Sequence, residues 1–153
     1  MAKAGDNSRK ALIDALNATL ADHLALYMKT KSFHWHVRGP RFRDLHLLFD
    51  EQAAAIFAVT DPMAERARKI GADTLTSIGA IAEHARIKDQ NKTALDADAM
   101  LAELHADNST LVDGLKALKQ AADEAGDNAT SALVDEWQDE AERRVWFLRE
   151  TMQ

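Results

Sequence analysis

Apolar residues recur every three or four positions over four long stretches of this chain, and each recurrence marks one buried helical face. The first stretch carries Leu12, Ile13, Leu16, Leu20, Leu24, Tyr27 and Met28. It begins after Asp6 or Asn7, both good N-caps, and runs to about Val37, where Gly39-Pro40 ends it. The second starts near Arg41 and carries Phe42, Leu45, Leu48, Phe49, Ala53, Ile56, Phe57, Met63, Ala67 and Ile70 before Gly71 stops it. Pro62 lies inside this stretch, removes one backbone bond, and predicts a kink or a restart. Residues 72–95 show no single period, and a short helix is predicted over 78–85. The third stretch, from about Asp96 to Ala125, carries Met100, Leu101, Leu104, Leu111, Leu115 and Leu118. Gly126-Asp127-Asn128 supply the next stop and cap. The fourth runs from about Ala129 to Met152 with Leu133, Val134, Trp137, Ala141, Val145, Trp146 and Leu148. Trp35 and Trp146 are expected in the core.

Loop lengths set the topology. The first and second helices, and likewise the third and fourth, are joined by short turns and run antiparallel. A helix of about 30 residues is about 45 Å long, and the connection over 72–95 is long enough to cross that length. The prediction is an all-α fold, a four-helix bundle with one long crossover that contains a short helix. It is one domain over 1–153, with 1–6 as a short flexible tail.

Composition agrees and narrows the chemistry. Apolar residues are 46 % of the 153 and aromatics only 6 %, which fills one core and argues against an all-β fold. There is no cysteine, so disulfides, thiolate metal sites and cysteine nucleophiles are excluded. The longest apolar run, residues 53–59, is far short of a membrane span. The opening MAKAGDNSRK has no apolar core of a secretory signal, so a cytoplasmic location is expected. The net charge of −6 argues against a domain that binds nucleic acid with its whole surface.

Di-iron bundles carry Glu-x-x-His on two helices. No carboxylate stands three residues before His23, His34, His36, His46, His84 or His105, so a metal centre inside one bundle is not expected. The second helix offers another pattern. His46 and Asp50 are spaced i,i+4, as are Asp61 and Glu65. With His46 at 0°, the other three fall at about 40°, 60° and 100°, one polar wedge along the helix. Imidazole with carboxylates suits iron, manganese or zinc. Yet Asp50 and Asp61 are about 16 Å apart along the axis, and metal–ligand bonds are about 2 Å. A twofold axis resolves this. Two antiparallel copies of the helix place His46 and Asp50 of one chain near Asp61 and Glu65 of the other, twice per dimer. His34, at the end of the first helix, stands where it can add a second imidazole.

Each piece also has an ordinary reading. A His-Asp pair on a helix is commonly a solvated surface pair. Asp61-Pro62 can be an N-cap with Pro at the first helical position, which makes Glu65 a first-turn acid. His84 and His105 read as structural or surface residues. Asp113, Asp123, Glu124 and the acids over 135–142 read as solvated faces.

The run Phe33-His34-Trp35-His36-Val37-Arg38-Gly39-Pro40, with Phe42, Leu45-His46, Phe49-Asp50 and Asp61-x-x-Ala-Glu65-Arg66, resembles in order and spacing the Dps family, the small ferritins. The segment Glu142-Arg143-Arg144-Val145-Trp146-Phe147-Leu148 is similar to that family's last helix. The resemblance implies a ferritin-like bundle that assembles from twofold dimers into a twelve-subunit cage. It implies oxidation of Fe²⁺, with hydrogen peroxide and less readily with O₂, at intersubunit centres holding two irons or one iron and a vacancy, and storage of ferric mineral. By that match His34, His46 and Asp50 come from one subunit and Asp61 and Glu65 from its mate, with zinc or manganese as competing occupants. Trp35 is either a packing residue or an acceptor of stray oxidising equivalents. Asp135, Glu136 and Asp139 are candidates for an acidic pore.

The chain departs from the family in three places. His36 stands where relatives often have Asn or Tyr, Pro62 interrupts the Asp-to-Glu segment, and the Lys-rich tail is reduced to Lys3, Arg9 and Lys10. DNA binding is therefore expected to be weak or absent. Two other readings stay open: a non-enzymatic nucleoid protein that coats DNA, and a helical scaffold whose acids are inert.

Overall fold

The structure, a computed structural model, describes residues 4–153. Its helices are α1 (Ala4–His36), α2 (Phe42–Lys69), α3 (Ile78–His84), α4 (Ala97–Glu124) and α5 (Asn128–Thr151), with no strand among the described residues. This is the expected all-α four-helix bundle, with α3 inside the long crossover. α1 packs on α2 and α4 on α5, and α1 meets α4 along the bundle. Two apolar clusters fill the centre. Leu12, Leu16, Met63, Leu115 and Trp137 are among the residues of one, at the end holding the α1 N-terminus. Leu26, Phe33, Phe49, Ile56, Met100 and Leu104 are among those of the other, toward the α1–α2 turn.

The helix ends follow from local chemistry. Gly71 (φ +83°) and Gly126 (φ +70°) adopt the left-handed conformation that L side chains disfavour. They close paired C-terminal bonds. Ala72 N–H donates to the Ala67 carbonyl and Gly71 N–H to Arg68; Asp127 N–H donates to Ala122 and Gly126 N–H to Asp123. Ser77 caps α3 by accepting from Ala80 N–H, and Asp127 caps α5 by accepting from Thr130 N–H.

The crossover is fastened to α1 by buried charge. Asp22 accepts from the main-chain N–H of Arg86 (2.5 Å) and Ile87 (3.2 Å) and pairs with the Arg86 guanidinium at 2.7 Å. Lys29 pairs with Glu103 and Asp107 of α4 and donates to the Lys88 carbonyl.

Three expectations change. α1 already includes Ala4, so Asp6 is a first-turn acid facing the helix dipole rather than a cap. Of the tail expected over 1–6, residues 4–6 are helical, and 1–3 lie outside the described residues. α2 runs unbroken through Pro62, so there is no restart. A proline removes one N–H and leaves the rest of the bonding ladder in place; here the flanking Val59, Met63 and Ala67 remain buried in the core. Trp35 and Trp146 are 57 % and 49 % exposed, and the buried tryptophan is Trp137. Tryptophan fits a helix face only where that face is covered, and within one chain nothing covers those two.

Candidate metal centre

The α1–α2 turn brings His34, in the last turn of α1, against His46 near the start of α2. Their rings stack with centroids 3.8 Å apart and planes 15° off parallel. Each holds the other by the main chain. His34 Nδ1–H donates to the His46 carbonyl at 2.6 Å, and His46 Nδ1–H donates to the His34 carbonyl at 2.7 Å. The last carbonyls of a helix have no partner within it, and His46 satisfies one of them. A carbonyl only accepts, so each Nδ1 carries a proton, and in the neutral ring Nε2 is the atom that keeps a lone pair. An outer N–H bonded to a carbonyl is also the arrangement that orients metal-binding histidines. Phe42 stacks beside His46 at 5.0 Å.

Asp50 follows His46 by one turn. Its Oδ1 lies 3.8 Å from His34 Nε2 and accepts from Lys31 Nζ at 2.6 Å. That hydrogen bond holds the Asp50 carboxyl below the usual carboxylate range and raises the Lys31 ammonium. An ammonium therefore already occupies the carboxylate that a divalent cation would seek.

Asp61 and Glu65 lie farther along α2, both exposed, and neither side chain makes a hydrogen bond or ion pair among the described residues. Because α2 is continuous, Glu65 is not a first-turn acid, and that ordinary reading falls away. Among the described residues no group of three or more His, Asp or Glu side chains is close enough to hold one ion. The chain thus gathers His34, His46 and Asp50 at one place and leaves Asp61 and Glu65 at another. Along their length α1 and α2 expose Met28, Trp35, Phe42, Leu47 and Phe57, each between 45 % and 57 % accessible. His36 is turned back on its own helix, its Nδ1–H donating to the Ser32 carbonyl at 2.8 Å. Asp135, Glu136 and Asp139 are exposed on α5, with Asp135 paired to Lys119 at 2.9 Å. His84 is exposed and His105 half-buried.

The sequence reading misses a polar layer inside the bundle. His23 of α1 is wholly buried and donates from Nδ1 to the Thr19 carbonyl at 2.8 Å. Burial pushes its pKa down to about 4, and the nearby Arg144 cation acts in the same sense. Arg144 of α5 donates from Nε to Asn108 Oδ1 of α4, and Gln52 of α2 donates to the Arg144 carbonyl. Burial lowers Arg144 to about 10, so it stays charged at neutral pH. His23 Nε2, Gln52 Oε1 and both Arg144 Nη atoms have no partner. In an intrasubunit di-iron bundle this interior carries Glu and His ligands. Here it carries neutral groups and the Arg144 cation, and that cation repels a metal ion. No local motif announces the layer, because its four members come from four different helices.

The comparisons with known proteins agree with the fold. Residues 13–153 match the Ferritin family, described as a ferritin-like domain. DNA protection during starvation protein 1 of Deinococcus radiodurans is 33 % identical over 94 % of this chain and 69 % of that protein. The crystal structure of a Dps protein from Bacillus brevis superposes with a TM-score of 0.92 at 31 % identity, covering 100 % of both chains. That of a Dps protein from Vibrio cholerae O1, described as a member of a broad superfamily of ferritin-like diiron-carboxylate proteins, superposes with a TM-score of 0.90 at 29 % identity, covering 96 % of this chain and 92 % of that one.

Proposed function

The chain belongs to the Dps branch of the ferritin-like family, and we propose that it oxidises Fe²⁺ at centres shared between two subunits and stores the ferric product in a cage. The observation that carries this reading is the reciprocal His34–His46 lock, which holds two imidazoles by Nδ1 beside Asp50, while the described residues of one chain complete no ligand set. The exposed Trp35, Phe42, Leu47 and Phe57 along α1 and α2 form a surface that a second copy would cover. A twofold partner with its α2 antiparallel would bring Asp61 and Glu65 to the imidazole half.

The roles divide by chemistry. His34 and His46 bind Fe²⁺ through Nε2, and Asp50, Asp61 and Glu65 supply hard, charged donors that favour the ferric state. Two Fe²⁺ give up one electron each, and one hydrogen peroxide takes both with two protons to leave two waters. Peroxide is the preferred oxidant in this reading, with O₂ slower. A cytoplasmic cage of twelve subunits, protecting its surroundings against oxidative stress, is the form the family suggests.

The test is mixed assembly. His46→Ala and Asp61→Ala variants, each inactive alone in peroxide-driven Fe²⁺ oxidation, are unfolded together and reassembled. If sites are shared across a twofold axis, half of the dimers are mixed and each rebuilds one intact site, so about a quarter of wild-type sites return. No recovery, with assembly intact by light scattering, would place the ligands within one chain or elsewhere.

A further inference from the structure

Pro62 sits in α2 between Asp61 and Glu65 and has no N–H, so the helix loses its bond to the Ala58 carbonyl there. Two residues earlier Thr60 spends its hydroxyl on the Phe57 carbonyl at 2.6 Å, a contact that itself tends to bend helices. The two turns of α2 beyond this missing bond carry Glu65.

Arg66 supplies a fixed point. Its Nε donates to Thr130 Oγ1 at 2.8 Å, and its Nη2 donates to Asp127 Oδ1 and Oδ2 at 2.9 and 3.2 Å. Both side chains of the ion pair are only 12–13 % exposed. Asp127 is itself held, since its Oδ1 accepts from Thr130 N–H and its Oδ2 from the Thr130 hydroxyl. Burial opposes the Asp127 charge, but the Thr130 and Arg66 bonds outweigh it and hold the carboxyl below its usual range. A charge-assisted pair of this kind fixes orientation as well as distance.

We propose that Arg66 is a positioning residue for the iron site: it clamps the last turns of α2 to the N-terminal cap of α5, replaces the restraint that Pro62 removes, and so sets the direction in which Glu65 faces the partner subunit. The proposal rests on the shared-site reading above. Arg66 follows Glu65 directly, so fixing its direction fixes that of Glu65 about 100° around the helix. Metal ligands tolerate only a few tenths of an ångström of error.

The experiment is a two-by-two set on the assembled protein: wild type, Arg66→Gln, Pro62→Ala, and the double variant. The readouts are Co²⁺ affinity and the Co²⁺ visible spectrum, with light scattering to confirm assembly. In the Pro62 background Arg66→Gln should weaken Co²⁺ binding about tenfold and alter the spectrum, as loss of an orienting partner does. With Pro62→Ala, which restores the helix bond, the same change should cost less than about threefold. Unchanged affinity in Arg66→Gln, or an equal loss in both backgrounds, overturns the clamp. If Arg66→Gln does not assemble, Thr130→Val, which removes one clamp bond and keeps the charge, is compared in the same two backgrounds with the same criteria. Glu65→Gln separates the two proposals. Wild-type binding that ignores Glu65→Gln sinks the shared-site reading itself, whereas binding that needs Glu65 and ignores Arg66 sinks only the clamp.

Discussion

Lys31 and His23 are the two side chains whose surroundings make the sharpest demands. Lys31 must leave Asp50 before a metal ion can use that carboxylate, and its ammonium also repels the ion. Lys31→Met should therefore tighten Fe²⁺ binding by about two- to fivefold, the worth of a partly exposed ion pair. Anaerobic titration of the two proteins checks this, and weaker binding in the variant would show that Lys31 assists the site. His23 is buried in its neutral form, with a pKa near 4 against an ordinary 6.5. Between those values the unfolded chain binds a proton that the folded chain does not, so stability falls as pH falls through that window. At about 1.4 kcal/mol per unit, the loss across it is about 3 kcal/mol. Urea midpoints at pH 7, 6 and 5, at one protein concentration, should fall more steeply in wild type than in His23→Gln. Equal slopes would mean that His23 finds a partner for its proton in the fold. The ligand-type residues were legible at this scale because their spacing is local: His46 to Asp50 and Asp61 to Glu65 are each one helical turn. Lys31 and Arg144 were not, because their partners lie 19 and 36 residues away.

The helices were legible because each buries one face against the core and so repeats an apolar residue every turn. Their ends were legible where glycine takes the left-handed position, at Gly71 and Gly126. The crossover helix was read within one residue of its C-terminal end, and Ser77 explains its start. The restart at Pro62 was misread, since a proline predicts a break from local chemistry alone. Met63 and Ala67, fully buried on either side of the next turn, keep the helix whole. The tryptophans were misread for the opposite reason. Periodicity marks which face is apolar, but it does not say whether this chain or another covers it.

The whole molecule carries a net charge of −6, and among the described residues its near-terminal cations Arg9 and Lys10 are already engaged. Arg9 donates to the Ile70 carbonyl, and Lys10 pairs with Asp14. Counterion release therefore drives little binding to a polyanion. A gel shift with duplex DNA should show no complex at about 150 mM salt; a tight complex there would bring the DNA-coating reading to the front. No helix among the described residues is long and apolar enough to cross a membrane. The bundle and its crossover followed from loop lengths, whereas the proposed division of the ligands needs the argument that one helix cannot fold back on itself. That division has a consequence in time. Under the shared-site reading, a newly made chain holds half a catalyst and is chemically quiet. Iron begins to be oxidised only when two chains have met, which is also the first step toward a container. The rust and the vessel for it would then switch on together, with no separate regulator.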